Sequence, residues 1–167
     1  MEVKPVILGS PGEHHKILEF LHNNGDKKSY VHVDNHPDNT RPMGGFCIVK
    51  PCSVFMNDVL RNDCFEKVYW LQKNYNPENP YKIEDYNGGV WNFKDLEDAE
   101  EFLHNNTLNN IVLDIDPDVL HDYPTTYSKG SMDRSELKNL IEYFKNNKCV
   151  ELFSFAGTEE FLEELLN

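Results

Sequence analysis

Residues 29–38 of the chain read SYVHVDNHPD, an apolar run that ends in a series of acidic and imidazole side chains. This apolar run predicts a short strand over residues 29–33. The segment that follows, DNHPDNTRPMGG, contains too much Pro and Gly for regular structure. The strand therefore ends where side chains that can bind a cation begin.

The rest of the chain repeats this strand-then-helix order. Four further apolar runs predict strands, at residues 5–8, 67–71, 110–115 and 150–155. Apolar residues three and four apart predict helices that include residues 17–21, 96–103, 137–144 and 161–166, with a short helix at 53–60. Strands separated by helices need crossover connections, so we predict an α/β fold with a mainly parallel sheet and helices on both faces.

Composition and charge narrow the class of protein. The 167 residues are 39% hydrophobic and 27% charged, which predicts one globular domain over residues 1–167. The formal net charge of −13 and the lack of a Lys/Arg cluster argue against nucleic acid and membrane as partners. Four cysteines without a CxxC pair, and a start that is neither basic nor strongly apolar, favour reduced thiols in a cytoplasmic protein.

Three strand ends carry side chains of the kinds that bind metals. Ligands of an open parallel sheet lie beyond the carboxyl ends of its strands, so these residues are the first candidates for a site. The candidates are His14 after the first strand, Asp34, His36 and Asp38 after the second, and Asp114 and Asp116 at the end of the strand at 110–115.

The spacing of these candidates predicts two metal ions. Alternate residues of an extended chain point to the same side about 6.6 Å apart, so Asp34, His36 and Asp38 can converge. Asp114 and Asp116 can do the same, and such pairs can straddle two ions about 3.5–4 Å apart. Carboxylates with imidazoles and no thiolate favour Mn²⁺ over Zn²⁺ or Fe²⁺. We therefore expect two Mn²⁺ ions per chain.

The chain resembles the arginase and ureohydrolase superfamily at the segments that form its binuclear manganese site. Over residues 6–118 these segments read, in this order, GEHHKILEFL, VHVDNHPD and VLDIDPD. The nearer resemblance is to short arginase-like chains that include peptide arginases, which convert arginine in ribosomally made peptides to ornithine. This resemblance implies a three-layer arginase-like fold, an arginine-containing precursor peptide as partner, and hydrolysis of its guanidino group with release of urea.

The resemblance also implies a role for each ligand. Asp34 and Asp114 would bridge both ions. The remaining ligands would form one pair for each ion, His14 with Asp38 and His36 with Asp116.

Catalytic roles follow from the same resemblance. Asp38 is the expected proton shuttle, and a neutral catalytic histidine outside the ligand set is expected at His32 or His121. A guanidinium group also needs a carboxylate partner. By position we favour Glu159 for this, with Glu151, Asp118 and Asp133 as alternatives.

The chain departs from arginases in its shortness and in reading VLDIDPDVL where they have a longer SxDxDxxDP motif. Fewer loops to grip free arginine favour a side chain presented on a peptide. Residues 74–93, rich in Asn, Pro, Gly and Tyr, read as a long surface excursion that either forms a peptide groove or packs on the sheet. Two rival functions stay open: hydrolysis of another C–N bond or a phosphoester, and a non-catalytic acidic binding module.

Overall fold

A parallel β-sheet forms the middle layer of the molecule. The structure is a computed structural model that describes residues 3–21, 27–36, 38, 54–73, 86–93, 95–106, 108, 110–126, 130–147 and 150–167. Its six strands are β1 (Pro5–Ile7), β2 (Lys28–Val33), β3 (Phe65–Lys73), β4 (Gly89–Phe93), β5 (Ile111–Ile115) and β6 (Val150–Phe155). They lie in the order β1-β6-β5-β2-β3-β4, and every neighbouring pair is parallel. The predicted parallel sheet is confirmed.

Helical segments cover both faces of this sheet. They are a 3₁₀-helical segment (Pro11–Phe20), α1 (Met56–Leu60), α2 (Leu96–Asn105), α3 (Arg134–Asn147) and α4 (Glu159–Leu166). N-cap side chains mark the first turns of α2 and α4. Asp95 accepts a hydrogen bond from Asp98 N, and Thr158 accepts one from Phe161 N. No helix in these described residues combines the length and apolar character that crossing a membrane requires.

Two buried clusters hold the three layers together. The larger one joins one face of the sheet to the buried stripes of α2, α3 and α4, including Phe102, Leu140, Phe144 and Leu162. The other joins the opposite face to the 3₁₀-helical segment and α1, including Ile17, Met56, Val59 and Trp70. Because strands buried on both faces cannot alternate apolar with polar residues, they appear in the sequence as the short continuous runs noted above.

The excursion expected at residues 74–93 is in part wrong. Its last five residues, Gly89–Phe93, form the edge strand β4 in register with β3. Two glycines precede and begin this strand, and glycine in a sequence usually indicates a loop. Here Gly88 is needed for close packing, because a Cβ at this position would lie 2.7 Å from the ring of Tyr69. Tyr86 is buried and stacks on Trp70, so this aromatic residue packs on the sheet. Residues 74–85 lie outside the described part.

The order of the strands places a crevice between β2 and β5. After β2 the chain continues to β3 and β4 on one side, then returns to β5 on the other side of β2. Helix α1, which follows β2, packs on one face, and α3, which follows β5, packs on the other. Ligands of α/β proteins bind at such reversal points, beyond the carboxyl ends of the strands.

A close contact between two backbone segments after β5, residues 118–119 and 130–132, fixes the geometry of this edge. Gly130 N donates to Asp118 O at 2.7 Å, and Met132 N donates to Val119 O at 3.0 Å. A Cβ on Gly130 would lie 2.0 Å from the carbonyl oxygen of Val119. The two segments therefore accept no side chain at position 130 unless their backbones move apart.

We expect Gly130→Ala to lower the free energy of unfolding by about 1–3 kcal/mol, the usual cost of overpacking a well-packed region. Urea denaturation of the two proteins measures the difference. An unchanged unfolding midpoint and slope would contradict this prediction, because it would show that the two segments move apart without loss of stability.

Candidate metal centre

The carboxyl ends of β2 and β5 place two carboxylates side by side. Asp34 follows β2 and Asp116 follows β5. Asp34 N donates to Leu71 O of β3 at 3.2 Å, and Asp116 N donates to Val33 O at 2.9 Å. The backbone ladder thus continues through both residues. Their side chains, which are almost fully buried, lie at the chain reversal between the two strands.

His14 reaches the same point from the 3₁₀-helical segment that follows β1. Its imidazole is fully buried, with its ring centroid 4.9 Å from that of Phe55. The Nδ1 atom lies 3.3 Å from an oxygen of Asp116, 3.6 Å from Asp34 Oδ2 and 3.8 Å from an oxygen of Asp38. One imidazole nitrogen is therefore surrounded by three carboxylates.

Asp38 joins this group from the loop after β2. Its backbone has φ of 46°, in the left-handed region that non-glycine residues seldom occupy. Its carbonyl accepts from Met56 N at the start of α1, at 3.2 Å. The side chain of Asp38 is 13% exposed, whereas that of Asp34 is 1% exposed. Asp38 is thus the member of this group that solvent reaches.

Three buried atoms at this point have no hydrogen-bond partner among the described residues: His14 Nδ1, His32 Nε2 and Asp34 Oδ2. Each of these three residues offers a ligand atom within 4.8 Å of those of the other two, and His32 Nε2 is 3.1 Å from Asp34 Oδ2. Buried polar atoms are nearly always paired, so each unpaired atom needs an explanation. A cation bound by all three explains the group, and these donor types fit a divalent metal.

A second group shares Asp34 with the first. His36 Nδ1 lies 2.8 Å from Asp118 Oδ2 and 3.6 Å from Asp34 Oδ1, and the three residues offer ligand atoms within 4.8 Å of one another. Asp118 is brought there by the 3₁₀ turn Pro117–Val119, with its N–H donating to Asp116 Oδ1 at 2.9 Å. Two neighbouring groups that share one carboxylate are an arrangement suited to two ions.

Asp114 lies deeper than the other carboxylates. It pairs in register with His32 of β2 and Ser154 of β6, inside the sheet. Its contacts are with His14, His32, Tyr30 and Ser154. Asp114 therefore contacts the cluster through the imidazoles of His14 and His32.

The imidazoles of the cluster favour their charged form. Burial alone would lower the pKa of His14, but Asp114, Asp116 and Asp34 raise it well above the usual 6.5. Burial also opposes the charge of His36, yet Asp118 and Asp34 raise the pKa of His36 to about 11. Without a metal ion, protons therefore supply the positive charge at the site.

The carboxylates divide into two kinds. Burial would raise the pKa of Asp34, but His32, His14 and His36 hold it well below the usual 3.8. Burial and repulsion from Asp34 instead raise the pKa of three other carboxyl groups, those of Asp38, Asp116 and Asp118. The metal-free site thus has more acidic groups than its imidazoles can neutralise.

Two predicted residues are exposed, unlike the members of this cluster. His121 is 57% exposed and its Nδ1 lies 3.2 Å from Asp133. Glu159 is the exposed first residue of α4. Glu151, one of the alternative guanidinium partners, lies in β6 and forms an ion pair with Lys28, the first residue of β2. The roles predicted for His121 and Glu159 stay predictions.

Sequence reasoning placed the other candidates within one cluster but missed three participants. Asp118 joins Asp34 and His36 as a potential ligand, although it was considered only as a guanidinium partner. Tyr30 and Ser154 were not considered at all. The third acidic residue of DIDPD was a visible signal for Asp118, whereas Tyr30 and Ser154 sit inside apolar strands and give none.

Comparisons with known proteins support the fold. No family model matches the sequence, and a search of curated proteins finds no match. The crystal structure of formimidoylglutamase from Bacillus subtilis subsp. subtilis str. 168 is similar, with a TM-score of 0.68 and 14% sequence identity. The match covers 96% of this chain and 54% of that one, so this chain spans about half the length of that protein. The likeness confirms the α/β, arginase-like fold.

We expect the metal-free protein to lose stability as pH rises. A histidine whose pKa is raised by folding stabilises the fold below its ordinary pKa, and this contribution disappears as pH rises toward the folded value. For His36 that window runs from 6.5 to about 11. The raised pKa values of Asp38, Asp116 and Asp118 act in the same direction, because their ionisation opposes folding.

Urea denaturation of EDTA-treated protein at several pH values within this window measures the effect. His36→Asn should flatten the dependence. Stability that increases with pH in the metal-free protein would contradict the charge state described here.

Proposed function

We propose, with the shared arginase-like fold as the premise, that this chain is a binuclear metal-dependent hydrolase of the guanidino group of peptidyl arginine. The observation that carries this proposal is the set of unpaired buried atoms on His14, His32 and Asp34. A second ligand group that includes the same Asp34 lies beside it. Two adjacent cation sites suit metal-assisted attack by water on a C–N bond.

The chain offers ligands for both ions. We propose that His14, His32, Asp34, Asp38 and Asp116 surround one position and that Asp34, His36 and Asp118 surround the other. The carboxylates of Asp34, Asp38, Asp116 and Asp118 together balance the charge of two divalent ions. Carboxylate and imidazole ligands without thiolate favour Mn²⁺.

The reaction adds one water to the guanidinium carbon, breaks the bond from that carbon to Nε, and gives urea and the ornithine amine. Bound divalent ions would supply Lewis acidity that brings the pKa of water toward neutrality. We propose that Asp38 holds and moves the proton that the departing amine needs. Burial and the neighbouring Asp34 raise the pKa of Asp38, and its side chain is 13% exposed, so it can reach both the cluster and a substrate.

The sequence supports arginine within a peptide as the substrate. The net charge of −13 suits a cationic group. The segments VHVDNHPD and VLDIDPD resemble those of peptide arginases, which act on ribosomally made precursor peptides. We propose a cytoplasmic enzyme acting on such a precursor, consistent with the free buried thiol of Cys64.

Metal binding should stabilise the protein strongly. At an ion concentration one hundred times the dissociation constant, each bound ion adds about 2.7 kcal/mol to the free energy of unfolding. Thermal melts of EDTA-treated protein with and without added Mn²⁺ measure this, with metal analysis giving the number of ions. A melting temperature that EDTA leaves unchanged, with no metal in the purified protein, would support a non-catalytic binding module instead.

Activity is tested with an arginine-containing peptide and Mn²⁺. The peptide should lose the mass of one CH₂N₂ unit for each arginine converted, with an equal amount of urea. Asp34→Asn should abolish the reaction, because Asp34 belongs to both ligand groups. Glu160→Gln, the same chemical change at an exposed position of α4, is the matched control and should remain active.

Absence of urea from every arginine peptide and guanidino compound would overturn the proposed reaction. Release of a chromophore from phosphoesters by the same Mn²⁺-loaded protein would then assign it to phosphoester hydrolysis.

A further inference from the structure

Asp114 is the most enclosed carboxylate of the site. It belongs to β5 and lies in a row across three strands, beside His32 of β2 and Ser154 of β6. Its side chain is fully buried. Tyr30 reaches it from one pleat earlier on β2, and His14 reaches it from the 3₁₀-helical segment.

Protein donors occupy both of its oxygens. Oδ1 accepts from His14 Nε2 at 2.7 Å and from Ser154 Oγ at 2.6 Å. Oδ2 accepts from Tyr30 Oη at 2.6 Å and contacts His32 Nδ1 at 3.1 Å. A carboxylate offers about four lone-pair positions, so these four contacts leave none for a metal ion.

The same contacts orient two imidazoles. A histidine that donates from one nitrogen presents the lone pair of the other nitrogen outward. Because Nε2 of His14 faces Asp114, its Nδ1 faces the carboxylates of Asp34 and Asp116. Because Nδ1 of His32 faces Asp114, its Nε2 faces Asp34. The two nitrogens that point away from Asp114 are the unpaired ones.

We propose that Asp114 is a positioning residue, which fixes His14 and His32 so that Nδ1 of one and Nε2 of the other bind a divalent cation together with Asp34. Tyr30 and Ser154 hold Asp114 in turn. This inference rests on the metal binding of the proposed function, and it differs from the bridging role that the motif resemblance implies for Asp114. A positioning residue changes the affinity for the ion and not the number of ions.

Calorimetric titration of the full chain with Mn²⁺ tests the proposal, after EDTA treatment and dialysis. Asp114→Asn should bind as many ions as the unaltered protein with about 10–100-fold weaker affinity, the usual effect of losing an outer partner of a metal-binding histidine. Asp34→Asn is the matched control in the ligand position, and it should lower the number of ions bound.

Titration with Co²⁺ adds a spectroscopic readout. At saturating Co²⁺, Asp114→Asn should keep the visible absorption bands of the unaltered protein, because the atoms bound to the ion stay the same. Asp34→Asn should change the bands, because a ligand oxygen is lost.

Tyr30→Phe and Ser154→Ala provide a test if Asp114→Asn fails to fold. Each removes one donor to Asp114 and leaves the carboxylate in place, so each should weaken Mn²⁺ binding several-fold without changing the number of ions.

Loss of an ion in Asp114→Asn, with altered Co²⁺ bands, would make Asp114 a ligand and overturn the inference alone. The inference would also be overturned if every one of the three variants that folds, among Asp114→Asn, Tyr30→Phe and Ser154→Ala, bound Mn²⁺ with an affinity within twofold of that of the unaltered protein. If the unaltered protein binds neither Mn²⁺ nor Co²⁺, the proposed function fails together with the inference.

Discussion

The burial of several carboxylates at one edge of a parallel sheet is the constraint on which the rest of this structure depends. The side chains of Asp34, Asp114, Asp116 and Asp118 are all at most 4% exposed. Removing a carboxylate from water is costly unless hydrogen-bond donors or cations replace the lost solvation. The chain meets this cost differently at two depths of the crevice between β2 and β5.

At the deeper level, the protein itself supplies the compensation. Asp114 is surrounded by hydroxyl and imidazole donors from β2, β6 and the 3₁₀-helical segment. At the outer level, Asp34 faces imidazoles and further acidic groups, and one of its oxygens is unpaired. Because the protein satisfies the inner carboxylate and leaves one oxygen of the outer one unpaired, the outer level is where a bound cation would compensate the buried charge.

Much of this could be predicted from contiguous residues. Apolar runs marked five of the six strands, and positions after strand ends marked Asp34, His36 and Asp38, because both signals depend on only a few neighbouring residues. The strand β4 was missed because Gly88, which lies against the ring of Tyr69, and Gly89, whose φ is 106°, look like loop residues in the sequence. Tyr30 and Ser154 were missed because a polar group inside an apolar strand shows no partner until the strands are paired.

The sequence by itself determined the order of the helices and of five of the six strands, and the kinds of side chain available at the carboxyl edge of the sheet. Only the tertiary structure decided which acidic residue of DIDPD occupies which depth. The register of β5 against β2 sets Asp114 beside His32 and carries Asp116 and Asp118 to the level of Asp34 and His36. Register follows from how distant apolar residues pack on both faces of the sheet, so a local motif cannot specify it.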